Sequence, residues 1–191
     1  MERSTYHHGD LAAALRTAGL ELLEAGGADR LSLRAVARAA GVSPNAPYRH
    51  YADKDDLLAA LAADGCADLR GRIEGLTGET LRDRLVAVVR EGVRFARERP
   101  QAFRLMTGHV CSSRPVAAAA MNEVRSATVT VLRGSGEKAT EGRGPGEDAL
   151  VVGVMALTSG LSALLVDGTV HPAPGETDDA FVERVVRATI A

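Results

Sequence analysis

The chain has 191 residues, a formal net charge of -2 and two cysteines. That length holds one domain or two small ones around a core that needs no covalent staples, and Cys66 and Cys111, far apart and in no paired motif, supply none. The near-neutral balance argues against indiscriminate polyanion binding, and the polar start MERSTYHHGD has no secretory leader, so a reducing, cytoplasmic location is expected.

Apolar residues recur at helical spacing almost throughout, and no window alternates as a strand does, so the chain reads as all-α. Leu11, Ala14, Leu15, Ala18 and Leu22 form the stripe of a first helix, capped by Asp10 and ended at Gly26-Gly27. A second helix starts after Ser32, packs Leu33, Val36, Ala37 and Ala40, and stops at Gly41. A short third helix, capped by Ser43 or Asn45, is predicted to reach Tyr51. A fourth begins at Asp53 or Asp55, uses Leu57, Leu58, Leu61 and Leu69, and fades between Gly71 and Gly78. Thr80 with Asp83 opens a long fifth helix that Pro100 ends. A short helix starts at Pro100, and another runs from Pro115 to Leu132. The Gly-rich stretch from Arg133 to Gly146 reads as a loop. The apolar run Val151 to Val166, broken by Gly153, Thr158, Ser159, Gly160 and Ser162, is expected to be a buried helix and not a membrane span. A last helix, from Thr177 to Ile190, places Phe181, Val182, Val185 and Val186 on one side.

The segment GVSPNAPYRHYADKDDL, from Gly41 to Leu57, concentrates the chemistry. Between Arg30 and Lys54 five cations face one acid, Asp53, for a local net charge of +4, so nucleic-acid contact belongs here. Helices joined by a Gly-containing turn and followed by basic residues form a helix-turn-helix pattern. On a helical wheel with Asn45 at 0°, Arg49 falls at about 40° and Tyr48 at about 300°, while Pro44, Pro47 and Tyr51 gather between about 200° and 260°. One side packs and the other reads. Arg offers two donors to guanine and Asn pairs with adenine, so Asn45 and Arg49 suit base edges. Ser32, Ser43, Tyr48, His50 and Lys54 carry donors suited to phosphate oxygens, and Arg34, Pro44 and Ala46 complete the expected DNA-facing set.

The segment LSLRAVARAAGVSPNAPYRHYADKDDLLAAL resembles the DNA-binding region of the tetracycline-repressor (TetR) family in its Gly-Val-Ser turn, Tyr48, His50, Tyr51, Lys54 and Leu57. The resemblance covers roughly the first 60 residues. It implies an all-α homodimer whose residues 1–54 read a double-stranded DNA operator. Residues 55–191 would then bind a small, hydrophobic effector and dimerise through the last two long helices. The later segment VMALTSGLSALLVDG is similar to that of a subgroup in which Trp and His precede a Gly-Leu pair, with Val154 and Thr158 standing in their places.

Phe95, Phe103, Met106, His109, Met121 and Met155, with Leu105, are candidates for the effector-pocket wall, and equally for ordinary core. The pair His109 and Cys111 suggests a rival enzyme reading, but no orienting acid or oxyanion element accompanies it, so no catalytic residue is assigned. His7 and His8 have no cysteine or carboxylate spacing around them and read as a solvated arm, so no metal is expected. No cofactor motif is present, and neither a cofactor nor a membrane partner is expected.

Overall fold

The computed structural model describes residues 8–134 and 145–189, without the side chains of residues 8–10 and 145–148. The expectations for His7, Ile190 and most of the Arg133–Gly146 loop lie outside these residues, and those for His8 and the Asp10 cap rest on side chains outside the description. Among those described, nine α-helices and one three-residue 3-10 turn occur, and no strand. In chain order they are α1 (His8–Arg30), α2 (Leu33–Ala39), the 3-10 turn Pro47–Arg49, α3 (Lys54–Glu74), α4 (Leu81–Glu98) and α5 (Pro100–Thr107). Then follow α6 (His109–Ser113), α7 (Pro115–Arg133), α8 (Pro145–Val166) and α9 (Asp178–Thr189). The chain divides into two compact units, one running to Gly65 and resuming over Gln101–Ala119, the other formed by Cys66–Pro100 and the chain from Ala120 onward.

In the first unit Leu11, Leu15 and Ala18 of α1 are buried as the stripe requires, but Leu23, not Leu22, completes the face. The α-helical path breaks at Gly27, whose φ of 73° is open to glycine and strained for other residues. Ser32 caps α2 by accepting the Ala35 N–H at 3.2 Å, and α2 ends as predicted: Gly41 takes φ 67° while Val42 N–H returns to Ala37 O and Gly41 N–H to Arg38 O. Val36 and Leu57 are fully buried in this unit. Glu24 of α1 accepts the Gln101 and Ala102 N–H groups at 3.1 and 2.9 Å, satisfying the first turn of α5.

In the second unit α4 is the hub, packing against α8 and α9. It opens with the predicted capping box, in which Thr80 Oγ1 accepts Asp83 N–H and the Asp83 carboxylate accepts Thr80 N–H. Its buried face includes Leu85, Val89, Val93 and Phe95, and a Cβ added at Gly92 would overlap Thr158 Cγ2 of α8, so only glycine allows this approach. Along the other contact Arg90, Arg94 and Arg97 pair with Glu183, Asp179 and Asp178 of α9.

Helix α8 corrects the expectation of a buried helix. Ala149–Val166 is long and apolar enough to cross a bilayer by length and composition, with mean hydropathy 2.2, yet only 28% of that window is buried within the chain. Val151, Val154, Leu161 and Leu165 pack inward, whereas Val152, Gly153, Ala156, Gly160, Ala163 and Leu164 face solvent. Hydropathy reports a wish to leave water, not which molecule will cover the surface.

Candidate nucleic-acid interface

The expected third helix, capped by Ser43 or Asn45, is instead a single 3-10 turn over Pro47–Arg49 with Ala46 as its cap and no side-chain capping bond. Proline explains the difference. In an α-helix opening at Ser43 the residue-47 N–H would donate to Ser43 O; Pro47 has none, so that carbonyl takes Ala46 N–H at 2.9 Å instead. His50 and Tyr51 N–H groups then both return to Pro47 O at 2.9 Å, closing the turn.

The two-sidedness of this segment survives the change. Pro47 and Tyr51 are buried, while Ser43, Asn45, Tyr48, Arg49 and His50 are exposed and Ala46 is half-buried. Pro44, expected on the packed side, is exposed, because without the α-helical turn the wheel that placed it there does not apply. Tyr51 anchors the turn from beneath. Burial pushes its phenol up from the ordinary value, opposed by a hydrogen bond with Arg16, and Arg16 also pairs with Asp64 of α3 at 3.0 Å. Asp64 is likewise pushed up by burial, against the pull of Arg16.

Four of the expected DNA-facing residues meet. Ser32, Arg34, Tyr48 and Lys54 line one open recess of about 380 Å³, together with Leu33, Ala52 and Asp53. The Ser32 oxygen is occupied by the Ala35 N–H, which leaves its hydroxyl proton to donate outward. Tyr48 is 50% exposed, so its hydroxyl is open to solvent beside the recess. Arg30, Arg34, Arg38 and Arg49 are all exposed, so the cationic window is a cationic surface.

Sequence reading missed Arg114. From the residue that precedes α7 it reaches the start of α3, donating to Asp56 Oδ1 at 2.6 Å and to Asp53 Oδ2 at 3.2 Å, with Asp55 at 3.7 Å. Asp53 also accepts the Asp56 N–H at 2.8 Å; that bond first, and Arg114 second, hold its carboxyl below the ordinary carboxylate range. A contact across some sixty residues leaves no periodic trace in the sequence.

The effector-wall candidates divide between the units. Phe103, Met106 and Leu105 are buried in the first, where Met106 Sδ packs over Gly65, and His109 there is exposed. Cys111 is buried and its thiol donates to Ala117 O at 3.6 Å, so His109 and Cys111 differ in environment and do not form a reactive pair at one surface. In the second unit Phe95 is fully buried with the Arg72 guanidinium 5.3 Å from its ring centre, the position of a core residue. Met121 and Met155 are half-buried. This unit also carries an open cleft of about 450 Å³ lined by Arg70, Glu74, Asn122, Glu123, Ser126 and Thr130 together with Ala127 and Val131. None of the six candidates lines it.

Comparison with known proteins agrees with this arrangement. Residues 15–61 match the family described as "Bacterial regulatory proteins, tetR family", and residues 85–189, more than half of the chain, match "Tetracyclin repressor-like, C-terminal domain". The chain belongs to the tetracycline-repressor family. This TetR-family chain is 33% identical over 86 residues to HTH-type transcriptional regulators of Mycobacterium tuberculosis and Mycobacterium bovis, a match that spans 43% of the chain and about a third, 37%, of theirs. A protein of unknown function from Rhodococcus sp. RHA1 shares its fold with TM-score 0.75 and 30% identity, over 98% of this chain and 95% of that one. A TetR-family regulator from Streptomyces coelicolor has TM-score 0.74 at 23% identity, over 96% and 80%. FadR from Bacillus subtilis, solved in complex with stearoyl-CoA, has TM-score 0.63 at 14% identity, over 94% and 97%, and shares the fold alone. In TetR-family terms, the second matched segment contains α9 whole and α4 from Leu85 onward, and the first contains the recess.

Proposed function

We propose that the protein is a sequence-specific, double-stranded-DNA-binding repressor that acts as a homodimer in the cytoplasm and leaves its operator when a small hydrophobic effector binds. One observation carries this reading: four donor-bearing residues of the TetR-type motif line one recess, beside a turn whose Asn45 and Arg49 point to solvent. Ser32, Arg34, Ser43, Tyr48, His50 and Lys54 would hold phosphates and fix register. Asn45 and Arg49, flanked by Pro44 and Ala46, would read base edges.

The homodimer is supported by α8, whose bare stripe of small and apolar residues recurs every three to four positions, as a helix packed against a symmetry mate requires. The same stripe explains why a helix apolar enough for a bilayer belongs to a regulator. The effector reading is supported by the opposite face of α8, where Thr158 and Ser162 bury hydroxyl oxygens that lack a hydrogen-bond partner, one turn on from Met155. Val154 and Thr158 lie where the resembled subgroup has Trp and His, so an effector here meets a hydroxyl in place of an imidazole. Residues 1–54 serve as reader and 55–191 as sensor and dimeriser; α3, which starts at Lys54, joins the two functions in one helix. An effector that favours another tilt of α3 separates the readers, and a hundredfold loss of DNA affinity needs about 2.7 kcal/mol of differential binding.

Gel shift of the DNA upstream of the coding region, at two salt concentrations and against random duplex, tests the proposal. A shifted band that survives random competitor supports it. Equal, weak retention of every duplex overturns it.

A further inference from the structure

At the start of α3 the sequence places Lys54 among three carboxylates, Asp53, Asp55 and Asp56. Two of them have a local reason to be there. Asp53 caps the helix by accepting Asp56 N–H at 2.8 Å, and Asp56 reaches back to accept Ala52 N–H at 3.1 Å. The helix start therefore needs acids in the place where a duplex would lay its phosphates, since Asp53 and Lys54 both line the recess. Left alone, this segment would present a net charge of -2 to a polyanion. Arg114 is the cation within reach of all three carboxylates, at 2.6 Å from Asp56, 3.2 Å from Asp53 and 3.7 Å from Asp55.

Folding explains the Asp56 contact, where the Arg114 and Asp56 side chains are 32% and 33% exposed, better than the other two. The side chains of Asp53 and Asp55 are 54% and 60% exposed, and ion pairs that open to water contribute little to stability. Their effect on a neighbouring polyanion is larger, because phosphates lie close together along a duplex and each unscreened carboxylate within a Debye length repels several of them. Resting on the DNA-binding reading above, we infer that Arg114 is a positioning residue for operator binding: by clamping Asp53, Asp55 and Asp56 it cancels part of the helix-start charge, so that Lys54 acts on phosphate and not on its own neighbours. Arg114 itself need not touch DNA.

The test is fluorescence anisotropy of the full-length protein on its upstream DNA, using wild type, R114Q, R114K, D55N and the double variant R114Q/D55N. Asp55 takes no part in the cap, so D55N removes a charge that Arg114 offsets and leaves the helix start intact. R114Q is expected to weaken binding about tenfold at low salt and less at high salt, with helicity and melting temperature near wild type. R114K keeps the charge and stays within about threefold of wild type, and D55N restores most of the R114Q loss. Wild-type affinity in R114Q, or an R114Q loss that D55N fails to relieve, overturns the role of Arg114 while the DNA-binding reading stands. Failure of the wild type itself to bind any duplex overturns both.

Discussion

The two units turn opposite chemistry toward their surroundings. In the first, the solvent-facing turn carries Asn45, Tyr48, Arg49 and His50 over a buried Pro47 and Tyr51. In the second, Arg90, Arg94 and Arg97 of α4 are spent on acids of α9, and the bare surface is the aliphatic side of α8. A duplex has a fixed spacing and a fixed charge, so a surface built to meet it is written in few residue types at set intervals. A symmetry mate or an effector imposes no such code, because the partner's shape can vary with the surface.

The comparison breaks most readily at α8. Replacing Val152 and Ala156 by aspartate should weaken self-association about 10³-fold or more, since two like charges would have to leave water in each protomer. Sedimentation velocity reads this, and operator affinity should fall with it. A variant that remains dimeric shows that another surface joins the protomers. Phe95→Ala comes next: as a fully buried core ring it should cost about 3–5 kcal/mol in urea unfolding, whereas a pocket-wall residue would change effector response at little cost in stability.

On the DNA side, Arg49→Ala should lose about 1–3 kcal/mol of discrimination at one base position, and Lys54→Ala should weaken all sequences alike and flatten the salt slope by about one. Smallest is Thr80→Ala, which opens the α4 capping box and should lower the melting temperature by about 2–4 °C. Thr80 holds the Asp83 carboxyl below its ordinary 3.8, first through its hydroxyl and then through its N–H. A carboxyl depressed in the folded state stabilises above its unfolded value and stops doing so as pH falls through the folded one. The deficit of the variant is therefore full at neutral pH and narrows below about pH 4 in thermal melts, leaving the pH-independent loss of the Thr80 Oγ1 acceptor for Asp83 N–H.

What the sequence made legible is local. Gly41, the Ser32 cap and the Thr80–Asp83 box depend on neighbours within five residues, and these and the start at Pro100 are where periodicity and capping rules put them. The third helix failed for a reason equally local: Pro47 has no amide to donate to Ser43 O, and that was enough to keep the segment from becoming α-helical. Helix α6, with five residues, is too short to show a period. The Arg114 clamp, the exposure of α8 and the fate of Phe95 depend on distant or absent surfaces. An apolar residue reads the same whether it faces core, ligand or twin.

The central claim is that a two-fold pair of headpieces reads duplex DNA through Asn45 and Arg49. Selection of bound duplexes from a random pool, followed by sequencing, tests it most directly. Enrichment of an inverted repeat with half-site centres about 10–10.5 base pairs apart, or a multiple of that, is the predicted result, with one position of each half-site relaxed in the Arg49→Ala protein. A pool that stays random after repeated rounds, or that enriches equally with Arg49→Ala at every position, would contradict it.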